Sequence, residues 1–364
     1  MSPDFLHIFL TGFRIRGGRI RSIFLLLSMG LTFYGTATVW LRERARICNE
    51  SRTYYTETYY VPEEVLDSIK FYRAENRFGV NLDVGRQKVC KSYAELMCEL
   101  NARVPLGTVR AGDGPFSGGQ WDHWLPKWSL QDTVGHLRTC AVVMSSGALR
   151  NSSLAAEIDS HEAVLRFNMA PTEGYSADVG TKTTLRIINS KVVTSDEAEF
   201  LKDPLYNTGV LIMWDPAPYS ADLYSWYKKP DYDFHQRYWD YRRLHPNQPF
   251  YILSPSMQWK LWDVIQRDSP VDIQPNPPSS GMLGIIVMMN LCERVDVYEF
   301  LPSYRRTDLC HYYEEGHNWQ CTVGHYHPLT FEKNIVHRLN QGEDQDIQKL
   351  GKVTLYGFST PCLY

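Results

Sequence analysis

The stretch Cys140–Ser190, CAVVMSSGALRNSSLAAEIDSHEAVLRFNMAPTEGYSADVGTKTTLRIINS, decides the fold that we expect. It holds three short apolar runs, Cys140–Met144, Ala163–Phe167 and Thr183–Ile188, with a helical pattern over Asn151–His161 between the first two. Short apolar runs bounded by turn residues are typical of buried strands. Because strands and helices alternate, the sequence predicts a sheet covered by helices on both faces.

The same alternation continues along the chain. Apolar runs predict three further strands, at Gly209–Trp214, Phe250–Leu253 and Val295–Leu301. Helical patterns occur near Glu63–Ala74 and at Met257–Asp268, Met282–Cys292 and Phe331–Asn340. The third of these, Met282–Cys292, is apolar almost all round, so we expect it to be buried.

Two Ser-Ser-Gly turns, Ser145–Gly147 and Ser279–Gly281, each precede a predicted helix. A small hydroxylated turn before a helix offers free backbone N–H groups and hydroxyls, which suit a phosphate. Ser145, Asn168 and Asn189 each follow a predicted strand, where ligands bind in parallel sheets. The alternative is that all three are ordinary turn residues.

Composition limits the function classes. The chain has 364 residues, of which 43% are hydrophobic and 22% charged, with a formal net charge of −3. This is a globular composition, and the charge does not favour nucleic-acid binding.

Residues 22–41 carry no charged side chain and are long enough to cross a bilayer. More arginines precede this segment than follow it, which favours a cytosolic amino end. We therefore expect a cytosolic tail at 1–21, a membrane anchor at 22–41, a stem at 42–89 and a lumenal domain from residue 90. The alternative is a cleaved signal peptide, but the apolar run is long and no clean cleavage site follows it.

The cysteines and glycosylation patterns agree with a lumenal location. The eight cysteines form no CxxC pair, so they indicate disulfides rather than a zinc site. Asn49 and Asn151 begin glycosylation acceptor tripeptides. Asn151 falls within a predicted helix, so Asn49 is the better candidate.

Four segments together resemble the motifs of the animal sialyltransferases, in the order found in that family. Cys140–Ser190 is similar to the long sialyl motif, Pro275–Glu299 to the short motif, Cys310–Glu314 to the third and His327–Glu332 to the very short motif. Segments between them, FLKDPLYNTGVLIMWDP, WYKKPDYDF and YRRLHPNQPFYIL, look like the β-galactoside α-2,6-sialyltransferase subfamily.

The resemblance covers roughly residues 90–362 and implies both fold and activity. It implies one GT-A-like (Rossmann-like) domain with a mixed, mostly parallel sheet. The implied reaction moves sialic acid from CMP-sialic acid to the 6-hydroxyl of terminal galactose on glycoprotein or oligosaccharide glycans, with inversion and without a metal. The implied location is the Golgi membrane, as a single-pass type II protein.

The resemblance also assigns residues to the donor. His327 is the implied general base, since an unperturbed histidine pKa of roughly 6.5 suits the mildly acidic Golgi. We expect a structural role for Glu332, whereas Lys333 either stabilises the departing phosphate or is an ordinary helix lysine. The implied donor-binding residues are Ser145, Asn168, Asn189, Ser279, Ser280, Gly281, His311 and Lys333.

The acceptor assignments rest on the same resemblance. Asp231, Tyr232 and Tyr326 match positions that hold the acceptor sugars. Lys191 and Glu314 depart from the pattern common in vertebrates, where glutamine occurs at both positions. Both departures change the charge beside the acceptor, so they affect its expected identity and not that of the donor.

The disulfide pairing follows from the resemblance as well. It pairs Cys140 with Cys292, Cys98 with Cys362 and Cys310 with Cys321. Cys48 and Cys90 remain, and they either pair with each other or leave Cys48 to link two chains in a homodimer.

Three alternatives remain open from the sequence. Asp231–Asp233 and Asp344–Asp346 each fit the Asp-x-Asp pattern of metal-dependent glycosyltransferases. A non-catalytic Golgi glycan-binding relative would have lost the chemical residues, yet all four motifs retain them. A sialyltransferase with another acceptor, such as an N-acetylgalactosamine-terminated glycan, is the alternative within the enzyme class.

Overall fold

The computed structural model describes residues 61–83, 91–318 and 320–358. Across these ranges no helix is long and apolar enough to cross a membrane. The predicted anchor at 22–41 lies outside them, as do four residues singled out from the sequence: Cys48, Asn49, Cys90 and Cys362.

Within the described residues, seven strands form one sheet in the order β5-β4-β3-β2-β1-β6-β7. Every neighbouring pair is parallel except β6 and β7, which are antiparallel. The mixed, mostly parallel sheet predicted from the sequence is therefore confirmed. The strands are β1 (Leu137–Val143), β2 (Ala163–Phe167), β3 (Leu185–Asn189), β4 (Val210–Trp214), β5 (Phe250–Ile252), β6 (Cys292–Tyr298) and β7 (Lys352–Tyr356).

Helices cover both faces of this sheet, as expected. Among the described residues they are α1 (Glu63–Glu75), α2 (Tyr93–Arg103), α3 (Gly119–Trp124), α4 (Leu130–Val134), α5 (Ala155–Asp159), α6 (Ser176–Val179), α7 (Ser190–Thr194), α8 (Leu223–Lys228), α9 (His235–Leu244), α10 (Pro255–Asp268), α11 (Ser280–Leu291), α12 (Gln320–Val323), α13 (Leu329–Leu339) and α14 (Asp344–Leu350).

Alternate residues of each strand enter different cores, because side chains of a strand point to opposite faces. Val142 and Ile212 pack in the large core that also contains residues of α10, α11 and α13. Their strand neighbours Val143 and Met213 pack in two smaller cores, with α5 and α9 respectively.

Helix α11 lies at the centre of the large core. All of its residues from Met282 to Met289 are buried, in agreement with the sequence prediction. Gly284 lets this helix approach the sheet closely, since a Cβ there would lie 2.6 Å from the ring of Phe167. A larger residue at this position would push the helix away from β2.

One predicted helix was wrong in its first turn. The helical pattern over Asn151–His161 gives a helix only at Ala155–Asp159. Asn151 and Ser153 have positive φ, and their backbone N–H groups donate to the carboxylate of Asp178 at 2.8 and 2.9 Å. This local carboxylate replaces the helical hydrogen bonds, so Asn151 lies exposed in a turn.

Helix α1 belongs to the folded body. Val65 and Ile69 are buried in the large core, and the compact unit begins at Val61. Residues 61–83, which the sequence assigns to the stem, therefore pack with the sheet and its helices.

Two predicted disulfides are confirmed. Cys140 bonds to Cys292, joining β1 to the start of β6, and Cys310 bonds to Cys321. Cys98 is also disulfide-bonded. Its expected partner lies outside the described residues, so that pairing remains a prediction.

Candidate active site

Polar residues predicted to bind a ligand meet at the carboxyl edge of the parallel strands. Asn168 directly follows β2 and has a left-handed backbone, with φ of 46°. Its side-chain oxygen accepts a hydrogen bond from the Asn189 N–H at 3.1 Å. Asn189 ends β3 and caps α7 by accepting from the Val192 N–H at 2.9 Å. The two asparagines are thus linked by a hydrogen bond at the carboxyl ends of β2 and β3.

The two Ser-Ser-Gly turns are neighbours in space. A Cβ on Gly281 would lie 3.1 Å from the sulfur of Met144, the residue before the first turn. Gly147 faces the third motif, where a Cβ would lie only 2.3 Å from the Leu309 carbonyl oxygen. That distance is too short for any side chain, so glycine is required for the first turn to dock there.

Ser279 and Glu332 connect the second turn to the very short motif. The carboxylate of Glu332 accepts hydrogen bonds from the Ser279 N–H at 2.7 Å and from the Ser279 hydroxyl at 2.6 Å. The same hydroxyl accepts from the Met282 N–H at 3.1 Å and caps α11. Burial raises the pKa of Glu332 to about 7, while the two Ser279 hydrogen bonds oppose the shift.

The next two N–H groups of α11, from Ser280 and Gly281, lie in its first turn. N–H groups at these positions have no acceptor within their own helix. The Ser280 hydroxyl accepts a hydrogen bond from the Trp214 indole at 3.0 Å, which fixes that side chain beside the end of β4. This end of α11 can therefore bind an anion.

His327 is half-buried and held in one tautomer. Its Nδ1 lies 2.8 Å from the Pro277 carbonyl oxygen, which can only accept, so Nδ1 carries the proton. The neutral ring therefore has its lone pair on Nε2. Burial lowers the pKa of His327 below its ordinary 6.5, with the Pro277 hydrogen bond opposing it. The arrangement gives a neutral histidine that can accept a proton at Nε2.

Two further basic residues belong to the motifs around this centre. Lys333 follows Glu332 in the first turn of α13, and burial lowers its pKa to about 8 against the raising effect of the Glu332 charge. His311 lies beside the first turn through a backbone bridge to Ser146. Its Nδ1 lies 2.8 Å from Glu314 Oε2, and its ring stacks on Tyr313.

The predicted acceptor residues form a second cluster beside the histidine. The ring of Tyr326 contacts those of His327 and Tyr72 with centroid distances of 4.9 and 5.6 Å. Burial, followed by the charge of the Asp231 carboxylate, raises the pKa of Tyr326. Asp231 forms an ion pair with Arg77, which follows α1.

Asp215 is a buried carboxylate that the sequence analysis did not single out. It accepts hydrogen bonds from the backbone N–H groups of Asp231 at 2.9 Å and Tyr232 at 3.2 Å, and also from the Ser190 hydroxyl and the Trp226 indole. Burial raises its pKa to about 6, while these donors oppose the shift.

The position of Asp215 in the sequence could have identified it as a candidate site residue. Asp215 directly follows β4, just as Asn168 follows β2. The same strand-end argument therefore applies to it.

Lys191 and Glu314 lie at the edges of this arrangement. Lys191 is exposed on α7, next to the Ser190 that bonds to Asp215. Glu314 is exposed beside His311, and its carbonyl accepts a hydrogen bond from Arg150 at 3.0 Å. The structure gives neither side chain a contact with Asp231, Tyr232 or Tyr326.

The aspartates of the two Asp-x-Asp patterns have other surroundings than a metal site would give them. Asp344 and Asp346 occupy the first turn of α14, and Asp233 contacts His235 at 3.0 Å. In the described part of the chain, no group of three or more histidine, cysteine, aspartate or glutamate side chains is arranged to hold a metal ion.

The chain is similar in sequence to known proteins. The profile of glycosyltransferase family 29 (sialyltransferase) matches residues 123–343. Human beta-galactoside alpha-2,6-sialyltransferase 1 is 53% identical over 291 residues, which cover 80% of this chain and 71% of that protein. Human beta-galactoside alpha-2,6-sialyltransferase 2 is 50% identical over 292 residues, covering 80% and 55%.

A crystal structure of a mammalian sialyltransferase is similar at 23% identity and a TM-score of 0.39, covering 75% of this chain and 81% of that one. A likeness at this level adds no weight to the sequence matches. Because the family profile spans more than half of the chain and these relatives are 50% and 53% identical to it over the aligned residues, this protein belongs to glycosyltransferase family 29, the sialyltransferases.

Proposed function

We propose that this sialyltransferase moves sialic acid from CMP-sialic acid to the 6-hydroxyl of a terminal β-linked galactose on glycoprotein or oligosaccharide glycans. The observation that carries the proposal is the identity of 50–54% to relatives named beta-galactoside alpha-2,6-sialyltransferases. A neutral histidine beside the acceptor cluster supports it, because such a transfer needs a base.

We propose His327 as that base in an inverting single displacement. Nε2 takes the proton of the galactose 6-hydroxyl as its oxygen attacks the anomeric carbon of sialic acid and the bond to the CMP phosphate breaks. The Pro277 carbonyl accepts a hydrogen bond from Nδ1–H, which orients the ring and stabilises the imidazolium that forms when Nε2 is protonated. A covalent nucleophile is unnecessary, because the phosphate is already a good leaving group.

We assign the donor to the edge that joins the two Ser-Ser-Gly turns. The N–H groups of Ser280 and Gly281 suit the phosphate or the sialic acid carboxylate, and Lys333 and His311 stabilise the departing charge. Neutral groups on Ser145, Asn168 and Asn189 hold the rest of the donor. Ser279 contributes through its N-cap of α11, since its hydroxyl is engaged by Glu332.

We assign the acceptor to Asp231, Tyr232 and Tyr326. The Asp231 carboxylate accepts hydrogen bonds from sugar hydroxyls, and the two tyrosines offer aromatic surface and a phenol. Lys191 and Glu314 tune the choice of acceptor through their charge. No metal enters this scheme, which predicts that EDTA leaves the activity of the purified protein unchanged.

The cellular setting is part of the proposal. We infer a Golgi membrane protein with a single anchor at 22–41, a lumenal catalytic domain and glycans at Asn49 and Asn151. Cys48 is the candidate cross-link of a homodimer. The exposed turn at Asn151 is accessible to a glycosyltransferase. Protease protection of the domain in intact Golgi vesicles, together with glycosidase shifts, tests this topology.

The test of the reaction is an acceptor panel with CMP-sialic acid, followed by linkage analysis of the product. The panel compares acceptors that end in β-linked galactose with acceptors that end in N-acetylgalactosamine. An α-2,6 product on galactose is expected. An α-2,3 product, or transfer to N-acetylgalactosamine in place of galactose, contradicts the assignment.

A further inference from the structure

A shallow cleft of about 400 Å³ lies between helix α1 and the loop that carries the histidine base. We call it the α1 cleft, and its lining residues are Glu64, Asp67, Ser68, Phe71, Tyr72 and His325. None of these residues has a role in the proposed transfer.

The α1 cleft adjoins the acceptor cluster. Tyr72 forms its wall, and the Tyr72 ring meets the edge of Tyr326, whose ring in turn contacts His327. Beyond α1, Arg77 pairs with Asp231. A glycan whose terminal galactose lies at His327 would therefore pass Tyr72 on its way into the cleft.

The floor of the cleft is rigid. The Ser68 hydroxyl donates to the Glu64 carbonyl oxygen at 2.8 Å, so it accepts from His325 Nδ1 at 2.6 Å. This hydrogen bond fastens the loop that contains His325 and His327 to α1. Because the floor is fixed before a ligand arrives, binding there costs little ordering entropy.

The chemistry of the lining suits a neutral sugar. The Phe71 side chain is 56% exposed and lines the cleft, so its ring is accessible to a ligand there. Such a ring packs against the hydrocarbon face of a sugar, and the exposed carboxylates of Glu64 and Asp67 accept hydrogen bonds from its hydroxyls. The same carboxylates repel sulfated or carboxylated sugars.

We propose that the α1 cleft is a subsite for an inner, neutral saccharide of the acceptor glycan, beyond the terminal galactose. The proposal rests on the proposed function, because it places the galactose at His327. It makes the segment before residue 84 part of the substrate-binding surface. It also predicts that the protein distinguishes long glycans from the terminal disaccharide.

The test compares kcat/KM for two peptide-free acceptors, the disaccharide N-acetyllactosamine and a neutral biantennary N-glycan. Phe71→Ala should lower the value for the N-glycan about five-fold, the effect of losing roughly 1 kcal/mol of aromatic contact, and leave the disaccharide unchanged. Trp128→Ala, which removes an aromatic ring that is 73% exposed elsewhere, should change neither value.

A second pair of variants tests the carboxylates. Asp67→Asn should act like Phe71→Ala in selecting against the N-glycan. Lys70→Gln is its control, because it removes the same Lys70–Asp67 ion pair of 2.9 Å without altering the lining. Equal losses for the two acceptors, or no loss for either, would each overturn the proposal.

Failure of the cleft proposal can be distinguished from failure of the proposed function. If the wild-type protein fails to sialylate both acceptors, the proposed function is contradicted, and the cleft is then tested by saturation-transfer NMR with the N-glycan alone. Saturation of the inner sugar protons by the wild-type protein, lost in Phe71→Ala, supports the subsite. Equal saturation in both proteins overturns it.

Discussion

At the scale of single residues, the central question is how His327 stays neutral and oriented. The Pro277 carbonyl fixes the proton on Nδ1, and burial disfavours the charged ring. Both effects favour a base with a free Nε2 lone pair. A surface histidine lacks both, since it is solvated and free to change tautomer.

Replacement of His327 by alanine should therefore remove transfer while the donor still binds. We expect kcat to fall by about 10²–10⁴-fold, the usual contribution of a general base, with the Kd for CMP nearly unchanged. Steady-state kinetics and calorimetry measure the two quantities. His136→Ala, at an exposed histidine paired with Glu293, is the control. Wild-type turnover in His327→Ala would show that another group takes the proton.

The pH dependence of kcat/KM gives a second prediction at this scale. In the proposed scheme His327 takes a proton and is active only when neutral; its pKa lies below 6.5, so the rate should fall as the pH drops through that lowered value. In the same scheme Lys333 stabilises the leaving phosphate only when protonated; it loses its proton as the pH rises through about 8, so the rate should fall again there. We expect a bell-shaped profile with a plateau between these limits.

Lys333→Gln identifies the alkaline limb. This variant should lower the plateau and abolish the fall above a pH of about 8, while the acid limb stays in place. An alkaline limb that persists in Lys333→Gln would mean that the lysine is an ordinary helix residue.

At the scale of elements, buried carboxylates join segments that are far apart in sequence. Glu332 in the first turn of α13 binds both the N–H and the hydroxyl of Ser279, which caps α11. The very short motif therefore holds the helix end that we assign to the donor. This contact agrees with the structural role expected for Glu332 from the sequence.

The Glu332–Ser279 contact can be measured by a double-mutant cycle. Glu332→Ala leaves the partly buried Ser279 N–H without its acceptor and should lower the free energy of unfolding by about 1–3 kcal/mol. Ser279→Ala removes the cap and should cost about 1 kcal/mol. Because the two residues share these bonds, their effects should not add.

Denaturant unfolding gives the coupling energy, and the KM for CMP-sialic acid should rise in both variants. Glu173→Ala at an exposed position is the control. Additive losses would mean that the contact does not stabilise the fold.

Asp215 plays the corresponding part on the acceptor side. It ties the end of β4 and the start of α7 to the loop of Asp231 and Tyr232. Asp215→Asn keeps the shape but turns one acceptor into a donor that faces an N–H or O–H group. We expect the KM for the acceptor to rise about ten-fold, the effect of losing a 1.4 kcal/mol contact, with the KM for CMP-sialic acid unchanged.

A rise of both constants together would contradict this positioning role, since it would indicate a general loss of structure. Asp240→Asn, on the partly exposed surface of α9, is the matched control. Retention of the wild-type melting temperature in Asp215→Asn separates positioning from folding.

The sequence predicted elements well where apolar runs are continuous and poorly elsewhere. Ala163–Phe167 matches β2, because a strand buried on both faces reads as one apolar run. β7, with the sequence KVTLY, was missed because its apolar residues alternate with polar ones at the sheet edge. The polar and aromatic helix α9 was missed because its apolar residues follow no clear period.

The site residues likewise divide into those that the sequence predicted and those that only the folded chain reveals. Motif resemblance predicted His327 as the base, whereas the hydrogen bonds of Asp215 and Glu332 are tertiary contacts that local sequence cannot show. Ser279, predicted as a ligand residue, has its hydroxyl between Glu332 and Met282. Only the folded chain reveals which polar groups remain available to a substrate.

At the scale of the whole molecule, the site lies where distant parts of the chain converge. The long and short motifs are joined by Cys140–Cys292, whose cysteines have a sequence separation of 152. α1, from the segment assigned to the stem, contacts the proposed acceptor residue Tyr326 through Tyr72. The catalytic body is thus built from residues on both sides of the boundary expected at residue 90.

The disulfides provide the last prediction, since they differ mainly in the loop that they close. In the chain-entropy view, a cross-link stabilises more when it closes a longer loop. Cys140→Ala with Cys292→Ala should therefore cost about 2–5 kcal/mol. Cys310→Ala with Cys321→Ala opens a separation of 11 residues and should cost less. Its effect should appear in the KM for the donor, because that loop adjoins His311. Melting temperatures of the two double variants test the order. If the shorter loop proves the more stabilising, the long cross-link is a local tie between β1 and β6 and not a constraint on the unfolded chain.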